Sequence, residues 1–509
     1  MKKSITLFIL SLFFSLFTYA QRSNSNNTSR PSQIEDLEQL VRQNPDDFII
    51  TSEHVSSLSG IRHVYVRQAI SGLEVVGTES SFHMDKYGEV LSQNNNMVEN
   101  LKSTVRGSSS SLNQGQAIKA LARQKNYALQ ELRETNSAAG KARQMRFNNA
   151  GISKREIPVK LMYLYSEESG THLVWEISVE EIDSPNYYNF YIDASTGNIL
   201  KETNWTTQCN IIESHSHENS NTLKKSVLPN ILKSKTSLAY NSGNGIGNYK
   251  VFAIPLESAN HGPRTLKVTS GNSTSSPFGW HDTDGVIGAE YTVTQGNNVR
   301  AYRLSDGFSP DGGNDLIFDF ALNTAVSPTT ENSTTRNLSA SITNLFYWNN
   351  IIHDVIYQYG FDEVSGNFQE NNYGKNGIGS DSVNAWAQLD ELCNAFFSTP
   401  PEGENPTMMM YYGCNETLRD GSLDNLVIVH EYAHGISTRL TGGAANSECL
   451  FGDEQMGEGW SDYFGLMLTM TASDLGTDAR GVGTYLFGEN TDGPGIRPQP
   501  YSTDFSINS

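Results

Sequence analysis

Cysteine is scarce, with four in 509 residues. That excludes a disulfide-held miniprotein, which needs dense bridging. Basic charge is also short: 36 Lys plus Arg stand against 56 Asp plus Glu, a net charge of -20. Such a surface repels polyanions, so nucleic acid is not expected as a partner. Long apolar runs are missing after the first twenty residues, so no membrane span is expected in the mature part. What is present suffices for packed cores: 37% of residues are hydrophobic and 10% aromatic, which excludes wholesale disorder. Length alone gives roughly three to four domains.

The N-terminus has the pattern of an export signal. Lys2-Lys3 precede an apolar run from Ile5 to Phe17, interrupted by Thr6, Ser11 and Ser15. Thr18-Tyr19-Ala20 offers a small-residue cleavage site before Gln21. Residues 1–20 are therefore expected to be a signal peptide, and the protein to be secreted and extracellular. The other end, Pro494 to Ser509, is rich in Gly, Pro and Ser and shows no terminal element, as expected of a fragment of a longer chain.

Between the ends, the pattern changes twice. Residues 47–105 alternate like strands, with Val64 and Val66 on one face and His63, Tyr65 and Arg67 on the other. Asn113 and Gln116 fit a capping box, for a helix predicted to run to about Arg133. Leu173, Trp175, Ile177 and Val179 alternate again, and Tyr187–Ile192 with Ile199-Leu200 flank a turn. This half holds no cluster of catalytic or ligating residues. The Ser/Asn/Lys-rich stretch 206–248 reads as an exposed linker, so His215 and His217 within it are expected to be solvated. From Tyr249 the chain turns to Gly, Asn, Thr and aromatics, with a helix predicted over 338–359 and a hairpin over 395–413.

The chemistry is concentrated late in the chain. His430-Glu431-Tyr432-Ala433-His434 is an HExxH segment, and Leu426, Val429, Ala433, Ile436 and Leu440 recur at steps of three and four. That spacing predicts a buried helix with both imidazoles on one face, one turn apart. They can converge on one zinc ion, with Glu431 beside them as a general base for water. Catalytic zinc takes three protein ligands and keeps one position open. A second helix, predicted from Gly457, can present Glu458 as the third ligand. Asp462, one turn further on, can hold the outer nitrogen of a liganding histidine.

His430 to Ser437, Arg439 to Gly443 and Met456 to Asp462 together resemble the fungalysin metalloendopeptidases, relatives of thermolysin among the gluzincins. Ser276 to His281, Gly296 to Val299, His353-Asp354, Gly366 to Gln369 and Thr399 to Gly403 carry the resemblance further. Residues 21–105 are similar to the fungalysin/thermolysin propeptide module and 106–210 to a PepSY-type propeptide module. Residues 211–248 would be a linker carrying the activation cleavage. Residues 249–509 would be a catalytic domain, incomplete at its C-terminus.

The resemblance implies an α+β chain: signal peptide, α+β propeptide, then a thermolysin-like domain with a β-rich first part, zinc-binding helices and the C-terminal helical part missing. It implies one Zn²⁺ on His430, His434 and Glu458, and an endopeptidase acting on proteins or peptides. The protein's own propeptide would serve as intramolecular inhibitor and chaperone. Asn394 and Ala395 resemble the start of the edge strand that pairs with substrate, a role an open sheet edge suits. One departure is Leu426, which stands where a thermolysin-type double calcium site would use an aspartate, so calcium is not carried over.

Two rival readings stay open at this level: an aminopeptidase-type gluzincin and an inactive metal-binding or adhesion protein. Hydrolysis of N-terminally blocked peptides separates the first from an endopeptidase. Cys393 and Cys414 are equidistant from a turn centred between Gly403 and Glu404 and would face each other if the hairpin is in register. Pairing of either with Cys209 or Cys449 is the alternative.

Overall fold

The computed structural model describes residues 44, 46–208, 245–328, 334–389, 393–412, 418–451 and 456–508. The signal segment 1–20, most of the 211–248 linker including His215 and His217, Cys209 and Cys414 lie outside the described residues. Helix and strand are interspersed along the chain, in keeping with an α+β protein.

The first strands are β1 (Phe48–Val55), β2 (Arg62–Ile70), β3 (Leu73–Val76), β4 (Ser80–Met84) and β5 (Val90–Asn94). The alternation in β2 sends Val64 and Val66 onto Phe82 and Met84 in a small core. Helix α1 (Gln114–Gln124) follows, with both hydrogen bonds of the Asn113/Gln116 capping box at 2.9 Å. It stops at Gln124 rather than near Arg133. Asn126 adopts φ 55, Tyr127 turns its hydroxyl to Glu181 at 2.6 Å, and Gln130 N–H bonds Ala150. The segment's polar groups thus find partners across the fold instead of along a helix axis.

Two short strands, β6 (Glu134–Ser137) and β7 (Met145–Phe147), precede an antiparallel run of β8 (Ile157–Ser166), β9 (Gly170–Glu180), β10 (Tyr187–Asp193) and β11 (Ile199–Asn204). In β9, Leu173, Trp175, Ile177 and Val179 pack toward α1, while Val174 joins Met162, Leu164 and Tyr191 on the other face. A parallel pairing of β3 with β8 joins both groups into one 11-stranded sheet.

His54, His63 and His83 occupy directly opposed positions on β1, β2 and β4. The first two rings stack at 4.8 Å, and His63 Nδ1 lies 2.8 Å from His83 Nδ1. Tyr65 stacks on His54 and meets His83 edge-on. Burial, and then the neighbouring rings, hold His63 down to about 4, and burial also lowers His54 and His83. Histidines depressed in the fold bind protons more tightly when unfolded. Their stabilisation is complete above about 6.5 and is lost as pH falls toward 4. We expect amide exchange in β1, β2 and β4 to be about tenfold or more faster, after correction for intrinsic rate, at pH 4.5 than at 7.5. Equal protection at both values removes this reading.

The later part begins with β12 (Thr206–Gln208), β13 (Gly247–Val251), β14 (Thr265–Thr269), β15 (Val299–Tyr302) and β16 (Ile317–Phe318). Helix α2 (Thr334–Tyr357) is buried around its circumference, with Leu338, Ile342, Phe346, Trp348 and Ile352 in one large core. Asp354 near its end accepts hydrogen bonds from Ser275, Ser276 and the Trp280 indole, so the Ser276–His281 segment is pinned to this helix. Strands β17 (Val383–Leu389), β18 (Ala395–Ser398) and β19 (Thr407–Tyr411) complete a five-stranded sheet in the order β12-β18-β19-β17-β15.

The β18–β19 register pairs Ala395 with Met410 and Ser398 with Thr407. Continued outward, it sets Cys393 opposite Tyr412, so the premise of an even hairpin around Cys393 and Cys414 is not met. Cys393 is nevertheless disulfide-bonded, and Cys449 is a free thiol.

Candidate metal centre

Two helices build the centre: α3 (Asn425–Gly442) and α4 (Gly457–Leu468). Helix α3 is buried from Asn425 to Arg439, as the apolar spacing predicts for Leu426 to Ile436, whereas Leu440, the last of that series, is exposed. It approaches β18 closely because Gly435 has no side chain, and a Cβ there would meet Phe397 at 2.6 Å and Phe368 at 2.8 Å. Gly465 does the same for α4, where a Cβ would meet Leu426 at 2.8 Å. Leu426 is therefore a close packing contact between the two helices.

That contact brings the ligand candidates together. His430 Nε2 and His434 Nε2 lie 3.1 Å apart. Glu458 Oε2 is 3.3 Å from the first and Oε1 is 3.4 Å from the second. All three residues offer a donor atom within 4.8 Å of the others, and no fourth histidine, cysteine or carboxylate joins them among the described residues. His430 Nδ1 faces Asp462 Oδ1 at 2.7 Å, which turns its Nε2 lone pair toward the group. Burial, and next the charge of His430, hold His434 down to about 3, so its ring is neutral, as a metal ligand requires. Burial works to raise Glu458, but the His430 hydrogen bond and neighbouring positive charge outweigh it and hold it at about 2. Two imidazole nitrogens and one ionised carboxylate converging on one point fit a divalent cation of zinc's type. Glu431 is fully buried on the same helix, next to His430.

Sequence reasoning missed two residues here. Arg497 donates to Asp462 Oδ2 at 2.7 Å and Oδ1 at 2.9 Å, and to Glu458 Oε2 at 2.9 Å. Tyr501 donates to Asp462 Oδ2 at 2.5 Å. Burial opposes ionisation of Asp462, but the bonds from His430 and Arg497 prevail and hold it well below the usual carboxylate range. Both residues lie in the Gly/Pro/Ser-rich stretch that reads as featureless. The one available signal was an arginine and a tyrosine within it.

Asn394 precedes β18 and its Oδ1 accepts the Ala395 N–H, while Ala395 is paired to Met410 and buried. The other side of β18 is taken by β12, with Thr206 opposite Ser398 and Gln208 opposite Phe396. A cavity of about 640 Å³ lies alongside, lined by residues 201–207, Thr399, His434, Ser437 and Gly457 among others. Contacts between the early and late parts continue around it. Tyr65 donates to Leu440 O at 3.0 Å at the end of α3, Arg155 reaches Asn405 O at 2.8 Å, and Glu448 receives Tyr191 at 3.0 Å and Lys201 at 2.6 Å.

Residues 248–509 match the fungalysin metallopeptidase (M36) family, 46–97 the fungalysin/thermolysin propeptide motif, and 151–203 the peptidase propeptide and YPEB domain. An extracellular metalloproteinase of Aspergillus flavus is 31% identical over 499 residues, covering 94% of this chain and 69% of the relative. Extracellular metalloproteinase 2 of Trichophyton tonsurans is 31% identical over 484 residues, covering 91% of this chain and 67% of the relative. Extracellular metalloproteinase 5 of Arthroderma otae is 29% identical over 479 residues, with the same coverage of 91% and 67%.

Proposed function

This chain belongs to the fungalysin metallopeptidase family, and from that premise we propose how its residues divide the work. It is a secreted metalloendopeptidase made as a zymogen. The metal is zinc, one ion per chain, held by His430, His434 and Glu458. The observation that carries this is the convergence of both Nε2 atoms and the Glu458 carboxylate within 4.8 Å. When bound, zinc supplies Lewis acidity, which acidifies water and polarises a carbonyl.

The rest falls to the protein. Glu431 takes the proton from the attacking water and passes it to the leaving amine. Asp462 fixes the tautomer and direction of His430, and Arg497 and Tyr501 hold Asp462. Asp462→Ala is expected to weaken metal affinity roughly 10–100-fold, read by competition with a chelator of known affinity. Unchanged affinity would remove the residue from this role.

Substrate binds as an extended strand along β18, beginning at Asn394 and Ala395. Support comes from β12, which runs antiparallel along that edge, as a peptide would. The propeptide thus blocks the cleft with its own backbone, and cleavage within 211–248 releases it. The catalytic part is thermolysin-like, with a β-rich portion ahead of the two metal-binding helices. With Cys449 a free thiol, Cys414 is proposed as the partner of Cys393, and a non-reducing peptide map recovering a Cys393–Cys209 peptide instead would reject that pairing.

The assignment as a whole is tested on the mature full-length form. Expected are about one zinc per chain and casein hydrolysis abolished by 1,10-phenanthroline and restored by zinc. Hydrolysis indifferent to the chelator would sink it.

A further inference from the structure

A second group of carboxylates stands apart from the metal centre, in the loop Asp282-Thr283-Asp284-Gly285-Val286-Ile287-Gly288-Ala289-Glu290. One oxygen from each of Asp282, Asp284 and Glu290 lies within 4.8 Å of the other two. Each carboxylate spends one oxygen on nearby donors. Asp282 Oδ1 accepts from Tyr373 at 2.7 Å and Gly285 N at 3.0 Å, Asp284 Oδ1 from Val286 N at 2.8 Å, and Glu290 Oε2 from Thr283 N and its hydroxyl.

The second oxygens are the informative ones. Asp282 is 0% exposed, yet its Oδ2 is buried without a hydrogen-bond partner among the described residues. Buried polar atoms are nearly always satisfied, and a buried carboxylate oxygen more so than most. Glu290 and Asp284, both of its own sign, act on Asp282. Burial first, and those two neighbours after it, push Asp282 up to about 6. The fold has therefore gathered three acidic groups, and the second oxygen of the buried one has no hydrogen-bond partner among the described residues.

We infer that Asp282, Asp284 and Glu290 form a binding site for a calcium ion. The donors are all oxygens, without imidazole or thiolate, which selects a hard cation over zinc. Asp284 is exposed and Glu290 half-buried, so the site opens to solvent on one side and water can complete the six to eight oxygens calcium takes. The ion would lock the loop to its neighbour. Asn371 donates to Thr283 O at 3.0 Å, Tyr373 bonds Asp282, and the Tyr373 ring packs on Phe278 at 4.8 Å. Its role is to stiffen this part of the catalytic domain. It is independent of the β12-blocked cleft and of Leu426.

The test uses the full chain carrying Glu431→Gln, which avoids self-digestion, exchanged into calcium-free buffer with zinc present at a fixed concentration. Calcium alone is added back. Expected is one calcium per chain by equilibrium dialysis and a rise in Tm of about 5 °C or more at 100-fold over Kd. Terbium in its place should show luminescence sensitised by Tyr373. Asp284→Asn with Glu290→Gln, both outside the core, should abolish the shift and the luminescence while zinc content stays the same. Should that pair not fold, Asp284→Asn alone is expected to weaken calcium binding at least tenfold. No calcium shift in the parent, or the same shift or Kd in the variants, overturns the inference.

Discussion

Glu431→Gln is expected to cut casein hydrolysis by about 10²–10⁴-fold while zinc content stays at that of the parent. The amide has nearly the carboxylate's size and keeps its place in a fully buried helix, so packing is preserved. What is lost is basicity, because an amide cannot accept a proton from water at neutral pH. None of the three ligand candidates is touched, and the 3.1 Å His430–His434 approach and the Glu458 contacts remain. The comparison that gives this force is His434→Ala, which should lose metal and activity together. If Glu431→Gln instead lost its metal, the residue would be holding the site rather than handling protons. If it cleaved casein at the parent's rate, some other group would be the base.

The difference between what could and could not be read in the sequence lies in how local each signal is. The α3 and α4 residues were legible because helical spacing fixes which side chains share a face. His430, His434, Glu458 and Asp462 accordingly meet where a sequence argument puts them. Arg497 and Tyr501 were not legible, since their contact with Asp462 is made by a loop whose path no periodicity encodes. The end of α1 was misjudged for a related reason: Tyr127 and Gln130 satisfy their groups on distant partners. The β18–β19 hairpin was found, but its register was not, because symmetry of the loop in sequence does not fix pairing.

Arg439 carries the other large expected effect. It sits near the end of α3, 1% exposed, and its guanidinium reaches Asp381 at 3.2 Å, Gly366 O at 3.2 Å and Pro400 O at 3.0 Å. It also lies over the Phe368 ring at 5.0 Å. One side chain thus ties the helix that carries His430 and His434 to the loop before β17 and to the end of β18. Arg439→Met leaves Asp381, which is 0% exposed, without its charge partner, at a cost of about 3–5 kcal/mol and a fall in Tm of roughly 10 °C. The double variant Arg439→Met with Asp381→Leu removes both charges and should regain part of that loss, the remainder reflecting the Gly366 and Pro400 carbonyls and the Gln369 and Gly403 N–H groups left without these partners. The pH dependence separates a charge effect from a packing effect. Burial raises Asp381 to about 7 even with the guanidinium beside it, and removing the guanidinium raises it further. A raised carboxylate binds protons more tightly in the fold, so its contribution is present at low pH and lost as pH rises through the folded value. The deficit of the single variant should therefore be smaller at pH 5 than at pH 8, and that of the double variant should not change. A deficit in the single variant that is flat across this range would mean that lost packing against Phe368, and not the stranded carboxylate, accounts for it.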